Sequence, residues 1–160
     1  MKKSVIIVMT VALAVLATSC KPEKKELAGT WRWVATSGGI GGWFYSPESE
    51  GFEAELVFKG GRFTFYKDGE KVTSGPYQIT YDVDETIYTN KIGGEEPFYS
   101  WFSLHIPETQ CKMIAETTNG IITLASSNIA ILGHSEVDGQ VLSICDNFYD
   151  GFAITFVKKQ

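Results

Sequence analysis

Residues 52–69 read Phe-Glu-Ala-Glu-Leu-Val-Phe-Lys-Gly-Gly-Arg-Phe-Thr-Phe-Tyr-Lys-Asp-Gly, and this stretch decides the fold class. Phe52, Ala54, Leu56 and Phe58 alternate with Glu53, Glu55 and Val57. A period of two places the first set on one face of a strand and the second on the other. After Gly60-Gly61, Phe63 and Phe65 point one way while Arg62, Thr64 and Tyr66 point the other. Asp68-Gly69 then separates two alternating runs. A tight type I′ hairpin turn needs positive φ at both central residues, and this dipeptide supplies them.

Outward from this hairpin the pattern repeats. Residues 72–83 continue as a strand, with Pro76 marking an edge or a bulge. Further strands are expected at 86–92, 100–106, 112–116, 120–125, 128–132, 140–145 and 152–158. Asn119-Gly120 and Asp138-Gly139 supply two more hairpin turns. No helical stripe of three turns stands out after Leu27. Many short strands with regular turn signals predict an all-β fold, a small antiparallel up-and-down β-barrel of about eight to ten short strands or a sandwich. The one long irregular piece is 37–51, rich in Gly, Ser and aromatics.

The first twenty residues obey a different logic. Lys2 and Lys3 precede an apolar run over 4–16, and Ala17, Thr18 and Ser19 lead into Cys20. That is the order of a secretory signal. The run is too short to span a bilayer comfortably, which takes about 20 apolar residues. Leu16-Ala17-Thr18-Ser19-Cys20 resembles a lipobox, with its Leu one place early. The chain therefore divides into a lipoprotein signal peptide (1–19), a lipidated tether (20–26) and a barrel domain (27–160). Cys20 is the expected lipid attachment. Two or more acyl chains make anchoring stable, at about 0.8 kcal/mol per buried CH2. Lys21 after Cys20 favours the outer membrane of the cell envelope. The alternative is a plain secreted protein in which Cys20 is incidental.

The formal net charge is −5, and removal of Lys2 and Lys3 makes the mature chain more acidic still. Such a domain lacks the basic footprint of a nucleic-acid partner. Of three cysteines, Cys111 and Cys145 remain once Cys20 is lipidated. They form either a disulfide, in a compartment that permits one, or two separate thiols.

Leu27-Ala28-Gly29-Thr30-Trp31 opens the first strand with Gly-x-Trp, which resembles the lipocalin and fatty-acid-binding superfamily. Its continuation to Trp43, the 61–69 hairpin and the closing stretch 146–152 look like the lipocalin-like lipoproteins of the Bacteroides group. The resemblance implies a barrel closed at one end by Trp31, beneath an Arg from near the last strand. No Arg stands near the C-terminus; Lys158 and Lys159 do. The Thr-Asp-Tyr turn of that superfamily is absent too. The resemblance implies more about shape than about role.

Candidate sites are few. The glycines of 38–42 invite a phosphate-loop reading, but Phe44 stands near the place of the third glycine, so a loop over the barrel mouth fits better. Trp43, Phe44 and Tyr45, with Tyr99 and Trp101 farther on, read as a rim or lid for a small apolar ligand. The plainer reading, which the filling of small barrels by their own side chains favours, is a loop folded back as a plug; a third is a surface for a protein partner. His105 stands alone on the face of Trp101 and Ser103; it reads as a structural histidine, and otherwise as part of the same rim or of a site inside the barrel. The acidic turns at 82–85 and 146–150 do not follow calcium-loop spacing. No nucleophile has a base beside it, and no metal, cofactor or catalytic residue is expected. The leading expectation is a lipid-anchored barrel that binds a small apolar ligand; the alternative is a filled barrel that binds a protein through its aromatic loops.

Overall fold

The structure, a computed structural model, describes residues 25–81, 99–135, 138–145 and 151–160. Within them run β1 (Gly29–Gly38), β2 (Trp43–Tyr45), α1 (Pro47–Glu50), β3 (Ala54–Lys59), β4 (Arg62–Lys67), β5 (Glu70–Pro76) and β6 (Gln78–Thr80). Then follow β7 (Tyr99–His105), α2 (Glu108–Thr117), β8 (Ser127–Ser135), β9 (Gly139–Cys145) and β10 (Phe152–Lys158). The signal segment, Cys20, the expected strand at 86–92 and both acidic turns lie outside the described residues.

All pairings are antiparallel. The sheet order is β5-β4-β3-β1-β10-β9-β8-β7-β6, with β2 paired to β1 off this path. The two ends of that path, β5 and β6, are consecutive in the chain and separated only by Tyr77. They are halves of one bent strand. The first half pairs with β4, and the second pairs with β7 through Gln78 opposite His105. Nine strands thus make eight staves of a nearly closed up-and-down barrel. Pro76 sits at the bend, where its missing N–H costs no ladder bond.

The hairpin at 52–69 forms as its alternation requires. Leu56 faces Phe65 and Phe58 faces Phe63 across β3 and β4. Asp68 and Gly69 have φ of 52° and 79°, both positive. Asp68 Oδ1 also accepts the Glu53 N–H at 2.8 Å, which fixes the chain entering β3. In β1 a bulge between Trp33 and Ala35 shifts the alternation by one. Thr36 thereby turns inward, and its hydroxyl accepts the buried Trp33 Nε1–H at 3.0 Å.

The lumen is filled with side chains. Trp31, Trp33, Leu56, Phe63, Phe65, Leu104, Ala130, Leu142, Ile144 and Phe156 expose no surface even to a water-sized probe. Burial at about 25 cal/mol per Å² makes this aromatic core the main favourable term in folding. Trp33 stacks on Phe52 at 5.1 Å, and Phe58 meets Tyr77 edge-on at 5.0 Å.

The barrel has two unlike ends. At the terminal end β1 begins and β10 finishes. There Trp31 donates its Nε1–H to the Leu27 carbonyl at 2.7 Å. Lys158 Nζ lies 5.2 Å from the Trp31 ring centre. At the far end the residues at 106–126 depart from expectation. The strand expected at 112–116 is part of α2, and the strand expected at 120–125 is irregular. Cys111, Ile114 and Thr118 recur at helical spacing and are buried. Asn119-Gly120 closes this helix rather than a hairpin: both residues have positive φ, and Gly120 N–H donates to the Ala115 carbonyl at 2.8 Å. Lys67 Nζ donates to the Thr117 carbonyl at 3.0 Å, holding α2 against the barrel.

Candidate functional site

The residues at 38–45 lie at the far end and form a hairpin, not a loose loop. Ser37 opposes Phe44, and Gly38 opposes Trp43. Gly42 N–H donates to the Gly39 carbonyl at 3.0 Å, closing a tight turn. Gly38 is required twice over. Its φ is 142°, and a Cβ there would lie 2.4 Å from the Gly151 carbonyl oxygen. The Trp43 indole lies across the turn, so close to Gly41 that a Cβ would fall 2.7 Å from Nε1.

Among the described residues, this tip carries the three most exposed large apolar side chains. Ile40 is 93% exposed, Phe44 65% and Trp43 59%. Tyr45 turns back and packs on Phe152, with ring centres 6.4 Å apart. The tip is therefore anchored at its base and bare at its apex. The one-turn helix α1 follows directly. Ser46 caps it: its hydroxyl accepts the Ser49 N–H at 3.3 Å, and Ser49 Oγ accepts the Ser46 N–H at 2.9 Å. Glu48 and Glu53 share a cleft with Asp68. The Glu48 carboxyl is held below the usual carboxylate range by backbone and Ser46 hydrogen bonds, with Arg32 adding a smaller pull.

The other sequence-derived candidates do not join this site. Tyr99 begins β7 at the terminal end, away from Trp43 and Phe44. Trp101 lies on the same strand, half-buried on the outer face. The single rim of Trp43, Tyr45, Tyr99 and Trp101 is not assembled, because β7 starts where β1 starts. His105 Nε2 shares a hydrogen bond with Thr80 Oγ1 at 2.8 Å, pinning β6 to β7. It points away from the lumen, so no site centres on it inside the barrel. Trp31 is buried near the terminal end, where the Leu27 carbonyl accepts its indole N–H.

Cys111 and Cys145 are not bridged. Cys111 faces the core, where its thiol donates to the Ala125 carbonyl at 3.3 Å. Cys145 follows the buried Ile144 in β9 and so points to the outer face. Burial, and secondarily the charge of Glu108, push the Cys111 thiol above its usual range. Among the described residues no group of three His, Cys, Asp or Glu side chains could hold a metal ion.

A shallow cleft of about 210 Å³ lies on the outer face between β8 and β9, lined by Ile131, His134 and Val141 among others. Sequence reasoning missed it, since these outward positions carry no charge but also no chemistry. Comparison with protein-family models, with curated proteins and with solved structures finds no match. The fold and the site together define a small antiparallel barrel with a packed lumen and an aromatic hairpin at one end.

Proposed function

We propose that this protein is a bacterial envelope lipoprotein, anchored through Cys20 in the outer membrane, whose barrel is a rigid binding module for a protein partner. The contact surface is the hairpin tip with Ile40, Trp43 and Phe44. One contrast carries the reading: the lumen residues expose nothing, while the tip exposes three large apolar side chains. Lumen side chains packed to zero exposure, among the described residues, weigh against a carried ligand, and exposed apolar clusters mark contact sites. The glycine turn fixes the tip in place, which lowers the entropic cost of binding.

A second reading keeps the small apolar ligand inside the barrel. It has one observation in its favour. Gln110 Oε1 is buried without a hydrogen-bond partner beside Gly75 of β5, so α2 is imperfectly satisfied where it covers the barrel. Displacement of α2 would open the aromatic core to a ligand.

Native mass spectrometry on the chain after Cys20, purified from a bacterial periplasm without detergent, separates the two. The contact-surface reading expects a bare mass that fatty acids, bile acids and short glycans leave unchanged. A reproducible extra mass, lost on denaturation, would instead establish a carried ligand and its class.

A further inference from the structure

We infer that the partner of the hairpin tip is a basic, apolar protein segment rather than a lipid surface. This rests on the contact-surface reading above and adds the chemistry of what docks there.

The first observation is charge. Residues 33–47 contain no charged side chain, so the tip itself is neutral. Its surroundings are acidic. Glu48 and Glu50 stand on α1, three and five residues after Tyr45, and Glu53 and Asp68 edge the same cleft as Glu48. Among the described cations, Lys67 donates to the Thr117 carbonyl and lies 4.7 Å over the Phe52 ring, and Arg32 exerts a small electrostatic pull on Glu48. An apolar knob beside a cluster of carboxylates complements a surface that offers an apolar socket flanked by Lys or Arg. The same carboxylates repel anionic lipid headgroups, which disfavours insertion of Trp43 into such a membrane.

The second observation is position. The first described residue, Lys25, lies at the terminal end, and the tip lies at the other. Cys20 stands five positions before Lys25, and at ~3.5 Å per residue that stretch reaches about 18 Å at most. The ten residues of β1 run about 33 Å along the strand from one end to the other. An upright barrel anchored at Cys20 therefore holds its tip beyond the reach of its own membrane and offers it to partners in the space outside.

The third observation is rigidity. The indole of Trp43 lies against the turn: a Cβ on Gly39 would fall 3.4 Å and one on Gly41 2.7 Å from its ring atoms. Tryptophan is among the residues that carry most of the binding energy at protein interfaces, and holding it in place beforehand lowers the cost of binding.

The test uses the full lipidated chain in nanodiscs of zwitterionic lipid, labelled for amide NMR. The probes are a short peptide alternating Lys and Leu, its Glu and Leu counterpart, and vesicles rich in phosphatidylglycerol. The Lys peptide is expected to shift the signals of residues 38–45. Its affinity is expected to fall about tenfold in the triple variant Glu48→Gln, Glu50→Gln, Glu53→Gln, and to weaken with salt. The double variant Trp43→Ala, Phe44→Ala, whose side chains are exposed and outside the core, is expected to abolish the shift. Shifts at 38–45 with the Glu peptide as strong as with the Lys peptide would overturn the basic partner while keeping the contact surface. Shifts with the vesicles would replace a protein partner by lipid. Binding of the Lys peptide that survives the double variant, or no shift with any probe, would overturn the inference. A lumen-bound mass in the native spectrum would overturn the contact-surface reading itself.

Discussion

Lys158 holds its ammonium 5.2 Å from the centre of the Trp31 ring and donates to the Glu26 carbonyl at 2.9 Å. One cation from the last strand thus covers the first-strand tryptophan and ties down the chain that enters the barrel. A partly exposed cation–π contact contributes about 0.5–2 kcal/mol. Lys158→Ala is expected to lower the urea-unfolding free energy by about 1 kcal/mol, and Lys158→Arg to restore it, because both are cations that stack on an aromatic face. Trp31→Ala is expected to cost about 3–5 kcal/mol, as emptying a large buried site does. A neutral result for Lys158→Ala would mean that packing alone holds Trp31 in place.

Ala130 lies inward on β8 with no exposed surface. Ala130→Leu adds volume to a lumen already full, so it is expected to destabilise by about 1–3 kcal/mol. Thermal and urea unfolding would both report it. A variant as stable as the parent would reveal space in the lumen and revive the carried-ligand reading.

Asp68 supports the hairpin through its positive φ and through its bond to the Glu53 N–H. Asp68→Ala loses both and is expected to cost about 1–2 kcal/mol by unfolding in urea. Asp68→Asn keeps the acceptor and tolerates the left-handed backbone, so it is expected to lose under half of that. Equal losses would show that the carboxylate charge, not the hydrogen bond, matters here.

The Cys111 thiol is pushed up by burial. Its folded value therefore exceeds its unfolded value, and the fold prefers the neutral thiol. That contribution is fully present below the unfolded thiol range, near pH 8.5, and is lost as pH rises through the folded value. Urea unfolding is expected to show falling stability over that window, with a shallower slope in Cys111→Ala. A slope unchanged by the substitution would assign the alkaline loss to other groups. Ellman titration of the denatured, unreduced domain after Cys20 is expected to find two thiols; none would mean a disulfide.

The barrel was legible because its staves repeat a local code. Phe52, Leu56, Phe63 and Phe65 alternate with polar neighbours, and Asp68-Gly69 fits one turn type, so adjacent residues carry the information. The helix was not legible for the same reason inverted. The buried side chains of α2 are Cys111 and Ile114, with Thr118 buried at its C-cap, too short a stripe to stand out in the sequence. Thr118 is buried because its hydroxyl donates to the Ile114 carbonyl at 2.8 Å, a partner that only the folded chain supplies.

The candidate site divides in the same way. Its residue types were visible at Trp43, Phe44 and Tyr45, and so was the glycine run before them. Their separation from Tyr99 and Trp101 was not, because it depends on which end of the barrel each strand starts from. By itself, the sequence determined the all-β class, the strand faces and the turns, since these follow from neighbouring residues and backbone sterics. Only the tertiary structure decided the rest: that the bent strand brings the ring close to closure, that aromatic side chains fill the lumen while α2 packs against the barrel, and that the hairpin tip stands clear of it. Those outcomes depend on contacts between residues far apart in the chain, where burial and shape, not local pattern, choose the partner.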